Sequence, residues 1–305
     1  MSPQTESEFL RWVRRALKRT PAVLLGSGDD AAVIRLADRQ AVLHVDQCVE
    51  GIHFRHGTPW RKAGAKALLR CASDIAAMGC RPVAALAAAA LPERLDRRER
   101  RQIVLGLESA ARHLGVAIAG GDLSATKGPA VLGVTVLGEV PRGTHPIPRS
   151  GARPGDLLAV TGCLGGSSLG RHLTPHPRIR EALALQRRLT LHAMIDLSDG
   201  LAADLTRLLD ESRAGATLVA SWVPLHPDAR RLGRRSGRSP LAHALGDGED
   251  YELLFAFPRT QARRLEALGF PVHVIGQVTP KARRMLDLTG HLLPLPRKGY
   301  EHQWK

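Results

Sequence analysis

GSGDDAAVI, residues 26–34, sets two adjacent carboxylates, Asp29 and Asp30, in a glycine loop directly behind the apolar run AVLL (22–25). Neighbouring aspartates repel each other and gain little from turn formation alone, so a cation that neutralises them gives the arrangement a reason. The same grammar, an acid among small residues after an apolar run, returns along the chain. It is found in VDQCVEGIHF (Asp46), SDIAAMG (Asp74), AGGDLS (Asp122) and IDLSDG (Asp196, Asp199). Oxygen ligands gathered from several loops are what a Mg²⁺ site holding phosphates requires. The competing reading is that each aspartate shapes only its own turn. That reading serves any one loop, but it serves all of them together poorly.

With 305 residues, the chain is long enough for two domains with separate cores. Its hydrophobic fraction of 44% is that of an ordinary globular protein. The net charge of +15 comes mostly from arginines in helix-like polar faces such as ERLDRRERRQ (93–102). No aromatic residues alternate with them, so a base-stacking platform is not visible and nucleic acid is not an expected partner. Four cysteines (48, 71, 80 and 163) lack C-x-x-C spacing, which fits reduced thiols. No apolar signal core and no stretch of membrane-spanning length is found, so no membrane association and a cytoplasmic location are expected.

Apolar runs and helical periodicities alternate throughout. AVLLG and AVLHVD read as strands delivering Asp29/Asp30 and Asp46 at their carboxyl ends. Residues 58–79 read as a helix capped by Thr58 and stopped by Gly79, with Asp74 inside it. VAALAAAAL (83–91) reads as a buried strand, and residues 96–115 as an amphipathic helix ending at Gly115. VAIAGGD reads as a strand delivering Asp122, and PAVLGVTVLGEV (129–140) as a long apolar strand. The segment 141–156 holds four prolines and three glycines, and the domain boundary is placed there. LLAVTG then starts a second α/β half, in which CLGGSSLG (163–170) is expected to open a helix. The fold class expected is α/β (α+β), with two domains facing across a cleft.

GSGDDA superficially fits a dinucleotide-binding fingerprint, but its aspartates would stand where backbone N–H groups must meet a pyrophosphate. No Walker loop, protein-kinase set, G-x-S-x-G elbow or H-E-x-x-H pair is present. What remains is a metal-clustered phosphate site, in which charge neutralisation and positioning carry phosphoryl transfer.

At this point GDDAAVI, VEGIHF, SDIAAMG, GGD, RSGARPGDLLAVTG, IDLSDGLAADL, GEDYELLF and IGQV, in this order, resemble the thiamine-monophosphate kinase family. That family lies in the superfamily of aminoimidazole ribonucleotide synthetases and selenophosphate synthetases. The resemblance runs from about Gly26 to the tail. It implies the two-domain fold of that superfamily, mixed sheets flanked by helices, with residues 1–145 for ATP, Mg²⁺ and dimerisation and 146–305 completing the cleft. It implies an enzyme that phosphorylates thiamine monophosphate with ATP by direct transfer, several Mg²⁺ ions and a homodimer. Carried over by position, Asp30, Asp46, Asp74, Asp122, Asp196 and Asp199 are the metal-binding carboxylates, with Asp30, Asp74 and Asp199 at the catalytic centre. Gly121, Asp122, Arg149 and Ser198 match positions that meet ATP. His53, Glu249 and Tyr300 match positions that meet the thiamine substrate. Plain readings stand beside two of these: a solvated Arg149 and edge packing for Tyr300.

Departures from the family pattern are specific. His44 and Val45 stand where hydroxyl residues usually precede Asp46, Leu123 follows GGD in place of threonine, and Asp247 makes GDGED of the usual GGED. Valine cannot ligate a metal. The alternatives are another ATP-dependent synthetase of the superfamily and a nucleotide-binding paralogue with an altered metal site. A selenophosphate synthetase would carry a reactive Cys or selenocysteine in an N-terminal glycine-rich segment, and no Cys precedes Gly26.

Overall fold

The structure is a computed structural model that describes residues 6–16, 20–37, 39–297 and 299–300. Its first half is a six-stranded sheet built from β1 (Val23–Leu25), β2 (Ala32–Leu36), β3 (Arg39–Val49), β4 (Arg81–Pro92), β5 (Ala117–Thr126) and β6 (Val131–Glu139). The strand order is β1-β2-β3-β6-β4-β5. All neighbours are antiparallel except β4 and β5, which run parallel across a helical crossover. GSGDDAAVI is the bend of a hairpin: β1 and β2 pair through Val23↔Ile34 and Leu25↔Val33, leaving Asp29 and Asp30 at the turn. The residues AAVI are thus the return strand, which the sequence did not announce. Asp46 also differs from expectation. It lies inside β3, which runs on to Val49, not at the end of a strand.

Three helices, α1 (Glu6–Ala16), α2 (Trp60–Ala77) and α3 (Arg97–Leu114), accompany this sheet. One sheet face buries Val42, Cys48, Val134 and Val136 against Leu68, Cys71 and Ile75 of α2 and Met78 just past its end. The other face is uncovered, and Val45 (65% exposed) and Leu86 (52%) stand on it. β4 is therefore half exposed, not buried, because nothing in the described chain covers that side. Helices α2 and α3 approach through glycine: a Cβ on Gly64 would fall 2.0 Å from the Ile103 carbonyl oxygen, and one on Gly106 1.9 Å from that of Arg61. At the start of α2 the capping position is Pro59, not Thr58, and no side chain caps it. The expected stop holds, with Gly79 at φ +67° beyond the last turn. Helix α3 carries the full reciprocal cap between Asp96 and Glu99 and ends on left-handed Gly115.

The second half holds β7 (Leu157–Thr161), α4 (Ile179–Arg188), β8 (Ala193–Asp196), α5 (Leu201–Glu211), β9 (Gly215–Val219), α6 (Pro227–Ser236) and α7 (Pro240–Gly246). It is completed by β10 (Leu253–Phe257), β11 (Val272–Thr279), β12 (Arg283–Leu286) and β13 (Leu292–Pro294). The seven strands lie in the order β13-β12-β9-β11-β7-β10-β8, antiparallel except for β12 beside β9. Residues 163–170 hold only a short 3₁₀ turn, Ser167–Leu169, not the start of an α-helix, since glycines at 165, 166 and 170 all take positive φ. Residues 259–267 are likewise 3₁₀.

Helix α2 is shared between the halves. Its Ala76 and Ala77 pack with Leu185 of α4 and with Phe255 and Phe257 of the second sheet. The segment after β6 is stitched to both sides: Ile147 N–H donates to the Met78 carbonyl at 3.0 Å, and Met194 N–H to that of Pro148 at 3.1 Å.

Candidate active site

Asp30 from the β1–β2 turn, Asp74 from the last turn of α2 and Asp196 from the end of β8 place carboxylate oxygens within 4.8 Å of one another. A turn, a helix and a strand end distant in sequence thus meet where the halves join. Asp30 is 1% exposed, and its Oδ1 takes an Arg149 Nη2–H at 2.7 Å, yet its Oδ2 is buried without a hydrogen-bond partner. Ser73 Oγ donates to Asp196 Oδ2 at 2.6 Å. Burial, and then the charges of Asp196, Asp30 and Asp46, push the Asp74 carboxyl well above the carboxylate range. Asp196 is pushed the same way by burial and by Asp30. Asp29 lies beside them, its two oxygens accepting the Arg149 backbone N–H at 3.1 Å. Burial and the neighbouring Asp30 raise its carboxyl to about 7. Crowded, desolvated carboxylates with an orphaned oxygen need protons or a cation, and a hard divalent ion fits this oxygen set.

A second group shares Asp74. His44 and Asp46 project from β3 toward α2, and with Asp74 they too offer ligand atoms within 4.8 Å of one another. His44 Nε2 stands 3.2 Å from Asp74 Oδ2, and Asp46 Oδ2 2.5 Å from Arg70 Nε. Burial lowers the His44 pKa, outweighing the pull of Asp46 and Asp30.

Ser198 and Asp199 lie just past Asp196, in a loop stitched to residues 247–252. Glu249 N–H donates to the Ser198 carbonyl at 2.8 Å and Tyr251 N–H to that of Leu197 at 2.9 Å. Gly248, at φ +75°, sits so close that a Cβ would lie 2.6 Å from the Ser198 oxygen. Asp199 pairs with Arg207, which also holds Asp204 at 2.6 Å. The backbone N–H of Tyr300 reaches the Asp199 carbonyl at 3.1 Å, so the tail folds back onto this loop.

His53 and Glu249 are joined by a residue the sequence reading passed over. Lys66, fully buried on α2, donates to the His53 carbonyl at 2.5 Å and to Glu249 Oε1 at 2.5 Å. Tyr251 Oη adds a bond to the same carboxylate oxygen at 3.3 Å. Glu249 and Tyr251 hold left-handed backbones, at φ +55° and +52°, the kind of strain that surrounding contacts must hold in place. The available signal was spacing: Lys66, Arg70 and Asp74 recur every fourth residue, so they share one helix face. Ser73, which opens the SDIAAMG stretch, was passed over for Asp74 beside it, and Arg207 was missed for want of any pattern around it.

Asp122 is not brought to this cluster within one chain. It lies on edge strand β5, in the row Asp122–Ala88–Gly133–Gln47 across the sheet. Asp46, one residue before Gln47, points to the opposite face. Three strand spacings, about 14 Å, separate β5 from β3. Gly121 beside it lies so close to β4 that a Cβ would meet the Ala87 carbonyl oxygen at 1.8 Å.

Comparison with known proteins adds to this geometry. Residues 28–140 match the family described as AIR synthase related protein, N-terminal domain, and residues 136–287 match its C-terminal domain. The chain is 41% identical over 284 residues to the thiamine-monophosphate kinase of Rhodopirellula baltica, covering 90% of this chain and 89% of that one. It is 33% identical to that of Escherichia coli K12, covering 97% of each. A solved structure of AaThiL complexed with AMPPCP and TMP superposes with a TM-score of 0.85 at 26% identity, covering 98% of this chain and 97% of that one. Thiamine monophosphate kinase from Aquifex aeolicus superposes with a TM-score of 0.80 at 25% identity, covering 94% and 97%.

Proposed function

From the premise that this chain belongs to the AIR synthase related family and, within it, to the thiamine-monophosphate kinases, we propose that it transfers the γ-phosphoryl group of ATP to thiamine monophosphate, giving thiamine diphosphate. The observation that carries this reading is the meeting of Asp30, Asp74 and Asp196 around an unsatisfied, buried carboxylate oxygen. These three, with Asp46 and Asp199, would hold Mg²⁺, which when bound neutralises phosphate charge and lets the acceptor phosphate approach.

Each remaining residue has work suited to its setting. Arg149 fixes Asp30 through one nitrogen and keeps a buried Nε without a hydrogen-bond partner, a donor suited to a phosphate oxygen. Ser198 brings a hydroxyl beside Asp196 and Asp199 for ATP. His53 and Glu249, linked through Lys66, form the end that takes the thiamine moiety, with Tyr300 packing from the tail. We read the transfer as direct, with no phosphoenzyme, because positioning and charge neutralisation suffice for it.

We further read the active form as a homodimer built on the uncovered sheet face of residues 1–145, with residues 146–305 closing the cleft. Val45, Thr135 and Leu86 align in one row on that face, and Gly121 and Asp122 stand at its edge. In a dimer Gly121 and Asp122 would serve the nucleotide of the partner copy. No described helix is long and apolar enough to cross a membrane. Free cysteines at 48, 71 and 80, all buried, suit a reducing cytoplasm.

The test is ADP release with ATP, Mg²⁺ and thiamine monophosphate, with thiamine diphosphate identified as the product. Turnover of a different phosphate acceptor, with none on thiamine monophosphate, would end the assignment.

A further inference from the structure

We infer that the position formed by His44, Asp46 and Asp74 takes a first-row transition dication in preference to Mg²⁺, with His44 Nε2 as a nitrogen ligand. The two carboxylate groups share Asp74 but differ in chemistry. Asp30, Asp74 and Asp196 offer oxygen alone, whereas the second group offers one imidazole nitrogen and two carboxylates. Mg²⁺ demands oxygen ligands and gives up water reluctantly. Imidazole suits the softer dications, and mixed nitrogen–oxygen sets bind them more tightly as the series proceeds from Mn²⁺.

The geometry points the ring at this place. His44 pairs with Val136 across β3 and β6, and its side chain faces α2 at the turn that carries Asp74. Arg70, one turn earlier on the same helix, holds Asp46 at 2.5 Å, so both oxygen donors are fixed from one rigid element. The buried Asp30 Oδ2 without a partner belongs to the neighbouring group, which shares Asp74 with this one, so an ion there and an ion here would be held through one common carboxylate. At position 45, Val45 faces the uncovered side of the sheet and offers no ligand atom, so position 44 is what β3 adds to Asp46. The competing account makes His44 a hydrogen-bonding partner that merely quiets a crowded Asp74. Direct detection of a metal–nitrogen bond separates the two.

The inference rests on the metal cluster of the proposed function but needs neither substrate for its test. Metal-free protein is titrated with Mn²⁺ alone, with free ion followed by electron paramagnetic resonance, and Mg²⁺ is added as competitor. Wild-type protein is expected to bind Mn²⁺ at least about tenfold more tightly than Mg²⁺ and to show ¹⁴N hyperfine coupling from the imidazole. His44→Ser should lose the coupling and about tenfold or more in Mn²⁺ affinity, with Mg²⁺ affinity little changed. His44→Gln keeps the size and supplies oxygen, so it tests the same point should the serine variant fold poorly, and it too should bind Mn²⁺ without the coupling. Wild-type protein that binds no Mn²⁺, or binds it without ¹⁴N coupling, overturns the inference. Nitrogen-ligated Mn²⁺ in a chain inactive on thiamine monophosphate would sink the kinase reading and leave this one standing.

Discussion

Lys66 Nζ lies 2.5 Å from Glu249 Oε1 although 183 residues separate the two in sequence. The ammonium has no exposure, and its other partner is the His53 carbonyl. A buried lysine with one carboxylate and one carbonyl is a fixed strut between His53 and Glu249, the proposed thiamine end, and removing its charge leaves Glu249 without its cation. Lys66→Met should therefore raise KM for thiamine monophosphate about 10- to 100-fold while KM for ATP moves little. Steady-state kinetics in both substrates checks this; equal loss for ATP would mean Lys66 serves only the fold.

Asp74 is the most crowded acid of the site, with Asp196, Asp30 and Asp46 all disfavouring its charge. Asp74→Asn removes that repulsion, so the metal-free protein should melt at a higher temperature than wild type while kcat falls about 100-fold or more. Thermal denaturation in chelator and then in Mg²⁺ reads both effects. Mg²⁺ should raise the wild-type midpoint and leave the variant nearly unmoved.

Asp250 gives a pH test away from the metal cluster. Its oxygens accept from Gly165 N–H at 2.8 Å and Arg171 at 3.2 Å, but burial outweighs these bonds and raises the carboxyl to about 7. The folded protein keeps this proton up to about pH 7, and the unfolded chain releases it near 3.8, so Asp250 costs stability as pH climbs between them. Histidines 44, 172 and 226, with lowered pKa values, act oppositely below their ordinary 6.5. The difference between proteins isolates the carboxylate: Asp250→Asn should gain on wild type in melting temperature from pH 5 to 8. A constant difference across that range would contradict the assignment.

The uncovered sheet face predicts an effect on assembly. Val45→Glu or Leu86→Glu puts charge onto the face where these two apolar side chains flank Thr135 and which a dimer would bury. Light scattering should show loss of dimer, and activity should fall with it because Asp122 would then have no partner site to complete. A variant that stays monomeric yet fully active would remove Asp122 from the metal set.

Close helix packing predicts a stability defect without change of chemistry. A Cβ at Gly106 would fall 1.9 Å from the Arg61 carbonyl oxygen, a backbone atom that cannot swing aside. Gly106→Ala should cost about 2 kcal/mol or more in denaturant titration, with kcat of the folded fraction retained.

Much of this could be read in the chain because the relevant signals are local. Asp96 and Glu99 around a helix start, and Gly115 at its end, declare α3 without any tertiary knowledge. The repeated acid-in-small-residue stretches likewise marked Asp30, Asp74 and Asp196, and the fold gathers them. What sequence could not give is facing. Asp46 and Asp122 look alike as strand acids, yet register puts them on opposite faces of one sheet. Lys66 reads as an ordinary helix residue because its partners come from elsewhere in the chain. Glycine-rich 163–170 suggested a helix start, but successive positive-φ residues keep it in 3₁₀ turns.

Helix α2 bears Lys66 at one level and Asp74 eight residues on, a rise of about 12 Å along a single rigid rod. If, as proposed, Lys66 braces the thiamine end and Asp74 holds the ions, those two grips are not separately adjustable. Such a rod works as a gauge of molecular length, and acceptors whose phosphate lies nearer to or farther from the ring would seat one end only by unseating the other.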